Sequence, residues 1–214
     1  MAKKIEKLSP EEIMKIMEDN FGKGVMMLGS DKEAHGVITP SSSYTFNEAT
    51  GIGGFSKKKI YDIYADPSAG KSSFCYDAIG NAQKSHGSIC LLIDKEDAYS
   101  AEYGAKMGID NSRLIVVNNR SSKIDSLEDM YEILLKSLEK NLFGMICVDS
   151  VTSFAPKKKL TEGTEVMGLE SRINSDKMRL INNLMPKSDT ILCLLRQTRS
   201  SIGCVSLDTD IYIE

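Results

Sequence analysis

The segment Ile60-Tyr61-Asp62-Ile63-Tyr64 runs without a break into Ala65-Asp66-Pro67-Ser68-Ala69-Gly70-Lys71-Ser72-Ser73. A short β-type run that ends in a glycine-lysine-hydroxyl turn and opens an apolar helix admits few architectures. Phe74, Ala78, Ile79 and Ala82 give that helix one apolar side, and its N-terminus faces the turn. Gly70 lets the backbone approach a phosphate, Lys71 sets an ammonium against the β- and γ-oxygens, and the Ser72 hydroxyl suits Mg²⁺. The pattern predicts a nucleoside triphosphate site over Asp66, Pro67, Ser68, Ala69, Gly70, Lys71, Ser72 and Ser73. It also departs from the usual form, which opens with glycine, because Ala65 adds a methyl group at that place.

From Ile60 onward, strand and helix patterns alternate. Strands are predicted at 60–64, 88–94, 113–118, 143–149 and 189–197, and helices at about 71–84, 99–107, 126–140 and 168–185. The third helix has a Ser126 cap and apolar Met130, Ile133, Leu134 and Leu138. Leu169, Ile173, Leu180, Ile181 and Leu184 read as the core face of the fourth. Such alternation specifies an α/β fold, a mostly parallel sheet flanked by helices on both faces, with ligands at the carboxyl ends of the strands. Ahead of it, Ser9-Pro10-Glu11-Glu12 is a capping box, and Ile13, Ile16, Met17 and Phe21 follow at helical spacing until Gly22. That predicts a small N-terminal helix outside the main core. Gly51-Ile52-Gly53-Gly54 reads as a turn, because Ser56 stands where a dinucleotide fingerprint would need its third glycine.

The strand ends deliver polar residues where phosphates would lie. Leu92-Ile93-Asp94-Lys95-Glu96 offers Glu96 as a general base toward the water attacking the γ-phosphate, although a solvated acidic turn would look the same. Met145-Ile146-Cys147-Val148-Asp149-Ser150 has the form of a Walker B segment, whose aspartate holds the Mg²⁺ shell. It gains weight from following the phosphate loop by about 80 residues in an alternating pattern. Leu194-Leu195-Arg196-Gln197 places Gln197 to touch the γ-phosphate, or merely to face water.

A net charge of −3 over 214 residues rules out a global basic field, so any nucleic-acid contact must be a local patch. No apolar run reaches the roughly 20 residues of a membrane span, and the first residues lack the apolar segment of a signal peptide, which predicts a cytoplasmic protein without a membrane partner. Five cysteines, with Cys90, Cys147 and Cys193 inside apolar runs, read as reduced core residues. His35 and His86 are isolated and do not suggest ligands.

With these motifs in place, the stretch from Phe21-Gly22-Lys23-Gly24 to Gly203 resembles the RecA-type homologous recombinases of bacteria and their phages. The resemblance implies a RecA-like P-loop NTPase core using ATP and Mg²⁺. Leu92 to Ala98, followed by Ala101 to Asp110, resembles the family segment bearing the catalytic glutamate and an adenine-stacking tyrosine, which gives those roles to Glu96 and Tyr103. Val148-Asp149-Ser150-Val151 matches the Walker B end, and Gln197 falls on the nucleotide-sensing glutamine. Arg196 stands where the family usually has asparagine. Met167-Gly168-Leu169 with Arg172, then Met178-Arg179, resemble the first DNA-binding loop and the helix after it. Arg199 and Ile202 fall at the start of the second. Guanidinium groups there would pair with phosphates, and Met167 and Ile202 would wedge between bases. Lys157-Lys158-Lys159 is equally well a solvated run. The resemblance implies binding of single- and double-stranded DNA and self-association into a filament, with the N-terminal helix docking on the neighbouring subunit.

The match stops at Gly203. Cys204-Val205-Ser206-Leu207-Asp208-Thr209-Asp210-Ile211-Tyr212-Ile213-Glu214 resembles the start of a split intein, an initial cysteine followed by a Thr-x-Ile strand. Cys204 would attack the Gly203 carbonyl as the splicing nucleophile and give a thioester. The expected organisation is therefore 1–35 for subunit docking, 36–203 for the N-terminal part of the ATPase core, and 204–214 for the intein fragment, completed by a C-terminal recombinase fragment. On that reading the chain alone neither splices nor exchanges strands. Alternatives are a RecA-like ATPase acting on protein partners, a truncated nucleotide-binding domain without an intein, and a non-catalytic domain that retains the fold, which Ala65 would favour.

Overall fold

The computed structural model describes residues 8–24, 26, 28, 37–119, 124–163 and 168–197. The chain divides into two compact units, 1–35 and 36–214. In the first, α1 (Pro10–Phe21) begins as the capping box predicts. Ser9 Oγ accepts from the Glu12 N–H at 3.2 Å, and Glu12 Oε2 accepts from the Ser9 N–H at 2.8 Å. No residue of α1 is buried, and Ile13, Ile16 and Phe21 are exposed.

The second unit opens with β1 (Ile38–Thr39) paired antiparallel to β2 (Phe55–Ser56), with α2 (Tyr44–Ala49) between them. The predicted alternation follows: β3 (Ile60–Ala65), α3 (Lys71–His86), β4 (Cys90–Asp94), α4 (Ala101–Lys106), β5 (Leu114–Asn118), α5 (Leu127–Glu139), β6 (Met145–Asp149), α6 (Lys157–Glu162), α7 (Leu169–Leu184) and β7 (Ile191–Gln197). The sheet order is β3-β7-β6-β4-β5, with every neighbouring pair parallel.

Alternation along the central strands divides the core in two. Cys90, Leu92, Met145, Cys147, Ile191, Cys193 and Leu195 face α3 and pack with Cys75, Ala78, Ile79 and Ala82. Their neighbours Leu91, Ile93, Ile146, Val148, Leu192 and Leu194 face α5 and α7 and pack with Met130, Leu134, Leu138 and Ile181. Central strands covered on both faces must be apolar at every position, and β4 and β6 are buried throughout. Cys75, Cys90, Cys147 and Cys193 are buried free thiols, and burial pushes Cys147 and Cys193 well above the ordinary thiol range.

Two sequence expectations need correction. Leu180, expected on the core face of α7, is 47% exposed, because the inward stripe runs through Ile173, Ile181 and Leu184. The segment 37–56, where the sequence predicts only the turn at 51–54, holds α2 and two short strands around buried Phe46 and Phe55, whose ring centroids lie 4.4 Å apart. The lysine run 157–159 forms the first turn of exposed α6, where Lys158 pairs with Glu162 at 3.8 Å. No described helix is long and apolar enough to cross a membrane.

Candidate functional site

Parallel strands end on one edge of the sheet, so the loops after β3, β4 and β6 meet there with the last residues of β7. Ala65 is in register with Gln197, and Asp94 with Asp149. Lys71, on the first turn of α3, is buried and folds its ammonium back onto the loop, donating to Ala65 O at 2.9 Å and Asp66 O at 2.7 Å. Asp66, Pro67, Ser68, Ala69 and Gly70 are exposed. Gly70 sits at φ +90°, a left-handed conformation that side chains disfavour, and the space where its Cβ would lie is open. Ala65 is different. It is the last residue of β3 and does not take a positive φ, so a methyl group is accommodated where the usual motif has glycine.

Ser72 Oγ donates to Asp149 Oδ2 at 2.5 Å. Burial pushes the Asp149 carboxyl up to about 6; the Ser72 hydroxyl works against this, while Cys75 and the charges of Glu96 and Asp94 add to it. Asp94, beside it on β4, accepts from the Tyr99 N–H through Oδ2 at 2.7 Å, and its buried Oδ1 has no hydrogen-bond partner among the described residues. A hydroxyl and a carboxylate with a raised affinity for positive charge, next to an unsatisfied carboxylate oxygen, form an all-oxygen set that fits Mg²⁺.

Glu96 lies on the exposed turn after β4, and its Oε1 accepts from Gln197 Nε2 at 2.8 Å, Ser150 Oγ at 3.0 Å and Ser153 Oγ at 3.1 Å. The candidate base and the candidate sensor are therefore in direct contact across 101 residues. Tyr103, 42% exposed on α4, has its hydroxyl 2.8 Å from Ser73 Oγ, and its ring lies 6.0 Å from that of Tyr76. The phosphate loop is thus joined to an aromatic shelf of the kind a base can stack on.

Arg172 and Arg179 are exposed on α7 at positions seven apart, which puts them on one side of the helix about 10 Å apart along its axis. Met167, Arg199, Ile202 and Cys204 lie outside the described residues. Sequence reasoning passed over Asp94, Ser150, Thr152 and Ser153, although the hydroxyl-rich run directly after Asp149 was a visible signal.

The model of the RecA N-terminal domain family matches residues 9–211. The chain is 33% identical over 193 residues to Protein RecA of Bacteroides thetaiotaomicron, covering 89% of this chain and 57% of that protein. It is 32% identical over 199 residues to Protein RecA of Petrotoga mobilis, with coverages of 91% and 52%. It is 35% identical over 199 residues to Protein RecA of Mycoplasma mycoides subsp. mycoides SC, with coverages of 91% and 56%. The chain spans about half the length of the curated relatives it matches.

Proposed function

Because the chain belongs to the RecA family, we propose that it supplies the ATP-binding core of a DNA recombinase, one that forms filaments on single-stranded DNA and pairs it with homologous double-stranded DNA in recombination and repair. The observation that carries this reading is the meeting of Lys71, the Ser72–Asp149 pair and the Glu96–Gln197 pair at one edge of the sheet. Asp66 to Ser73 cradle the phosphates, and Lys71 exchanges the carbonyls of Ala65 and Asp66 for phosphate oxygens. Ser72 and Asp149 would hold Mg²⁺, which supplies charge neutralisation on the β- and γ-phosphates when bound. Glu96 orients and deprotonates the attacking water, Gln197 reads the γ-phosphate, and Tyr103 stacks on adenine. Arg172, Arg179 and Arg199 take DNA phosphates, while Met167 and Ile202 insert between bases. Residues 1–35 dock on a neighbouring copy, and the cytoplasm is the place of action.

Calorimetric titration with Mg²⁺ and ATP tests the reading. Saturable binding by the chain, weakened at least tenfold in Lys71→Ala, is expected; a chain that binds no ATP would sink it.

The tail supports a narrower proposal: the start of a split intein, with splicing in trans at Gly203/Cys204 to a C-terminal recombinase fragment. It rests on the Cys204 thiol and on Thr209-Asp210-Ile211, while the family match as far as residue 211 weighs against it. Mixing with a candidate partner should yield a longer ligated product that Cys204→Ala abolishes. Ligation surviving in that variant would overturn the proposal.

A further inference from the structure

The turn that follows β6 carries three hydroxyls that close a ring with Glu96 and Gln197. Gln197 donates its backbone N–H to Thr152 Oγ1 at 3.4 Å, and Thr152 Oγ1 lies 3.2 Å from Ser150 Oγ. Ser150 donates to Glu96 Oε1, and the Gln197 carboxamide donates to that same oxygen. Ser153 lies 2.8 Å from Ser150 and is the third donor to Oε1. A carboxylate oxygen offers two lone-pair positions, so three donors are one more than it holds well. Of the three, the Gln197 carboxamide is the one with another destination, the γ-phosphate of the reading above, on which this inference rests. Ser150 and Ser153 sit on the 3₁₀ turn Val151–Ser153 and its cap, fixed to the end of β6.

We propose that Ser150, Thr152 and Ser153 are positioning residues for ATP hydrolysis. In the nucleotide-free chain they and the Gln197 carboxamide hold Glu96 together. When γ-phosphate draws the carboxamide away, Ser150 and Ser153 keep Oε1 fixed, so Glu96 stays aimed at the attacking water. Thr152, by holding the Gln197 backbone, lets the side chain swing while the end of β7 stays in place. Once the carboxamide leaves, Oε1 keeps two hydroxyl donors, as many as its lone pairs hold.

Double-mutant cycles on the thermal unfolding of the whole 214-residue chain test this, run without nucleotide and with Mg²⁺ and a non-hydrolysable ATP analogue. Without nucleotide, Ser153→Ala and Gln197→Ala should each lower the midpoint by about 2 °C, and neither should do so when Glu96→Ala is present. With the analogue, the Gln197–Glu96 coupling should vanish and the Ser153–Glu96 coupling should persist. Ser153→Thr, which keeps the hydroxyl, should restore the coupling, so a packing defect in Ser153→Ala can be told from a lost hydrogen bond. Equal shifts for Ser153→Ala with and without Glu96, or loss of its coupling on adding the analogue, would overturn the proposal. An analogue that fails to raise the parent midpoint would overturn the ATP reading and the handover with it, while the nucleotide-free cycle still decides whether Ser153 holds Glu96.

Discussion

Ser72 Oγ donates to Asp149 Oδ2 at 2.5 Å, so the first turn of α3 is tied to the end of β6 across 77 residues of chain. The carboxyl in that bond is held by burial at about 6, above the 3.8 of an unfolded aspartate. Between these values the folded chain binds more protons than the unfolded one. Without a divalent cation, stability therefore falls as pH rises through about 4 to 6 and stays lowered above it. Asp149→Asn, neutral throughout, should be more stable than the parent at pH 8 by about 2 kcal/mol, with the gap closing below about pH 4. Added Mg²⁺ should narrow the gap from the parent's side. Urea unfolding across this range checks both, and a pH-independent gap would remove Asp149 as its cause.

Asp62 and Arg196 tie strand β3 to strand β7. Arg196 Nε lies 2.9 Å from Asp62 Oδ1 and 3.0 Å from Oδ2, and the guanidinium carbon is 5.9 Å from the Tyr64 ring centroid. The Arg196 and Asp62 side chains are only 17% and 22% exposed, respectively, so removing one partner strands a charge in a poorly hydrated place. Asp62→Asn should cost about 1–3 kcal/mol in urea unfolding. Adding Arg196→Asn, the residue usual in the family, should cost little more and recover part of the loss. Simple additivity of the two would show that the pair contributes no coupling.

The elements legible in the sequence were those with long periodic patterns. Helices α1, α3, α5 and α7 and all five strands of the main sheet lie within a few residues of their predicted limits, because burial on one or two faces writes a period into the chain. The meeting of the candidate side chains was legible for a related reason: a parallel sheet sends each strand end to the same edge, so Lys71, Glu96, Asp149 and Gln197 could be grouped without knowing a distance. What could not be read was local or non-periodic. Helix α2 starts from a single Ser43 cap and runs for 6 residues. The hold of Ser150 and Ser153 on Glu96 depends on how a tight turn aims two hydroxyls, which no spacing rule encodes. Ala65 looked like a defect in the phosphate loop and is instead an ordinary strand residue.

Gly80 marks a close approach that its sequence context hides. A Cβ there would lie 2.8 Å from Gly108 O and 2.9 Å from Gly108 C, so α3 passes against the backbone turn that follows α4. Backbone cannot move aside as the tip of a flexible side chain can. Gly80→Ala should therefore destabilise the chain by about 1–3 kcal/mol despite the helix propensity it gains. Because α4 carries Tyr103, a displaced turn should also weaken binding of ATP more than of inorganic tripolyphosphate. Thermal unfolding and calorimetry read the two effects, and a stabilised variant would contradict the contact.

Arg172 and Arg179 allow the proposed DNA contact to be tested apart from the candidate nucleotide site. Both are exposed on the outer side of α7, and among the described residues neither makes an ion pair, so replacing them leaves packing intact. If each meets one phosphate of a single strand, each releases bound counterions on association. The slope of log affinity against log salt should then fall by about 0.7 for Arg172→Ala and again for Arg179→Ala. The loss should be the same for unrelated sequences, since phosphate contacts carry no base information. Unfolding midpoints and ATP affinity should stay at the parent values, which excludes misfolding as the cause. Fluorescence anisotropy with a labelled oligonucleotide over a salt series measures the slope. A slope unchanged in both variants would place the DNA contacts elsewhere and leave α7 as a purely structural helix.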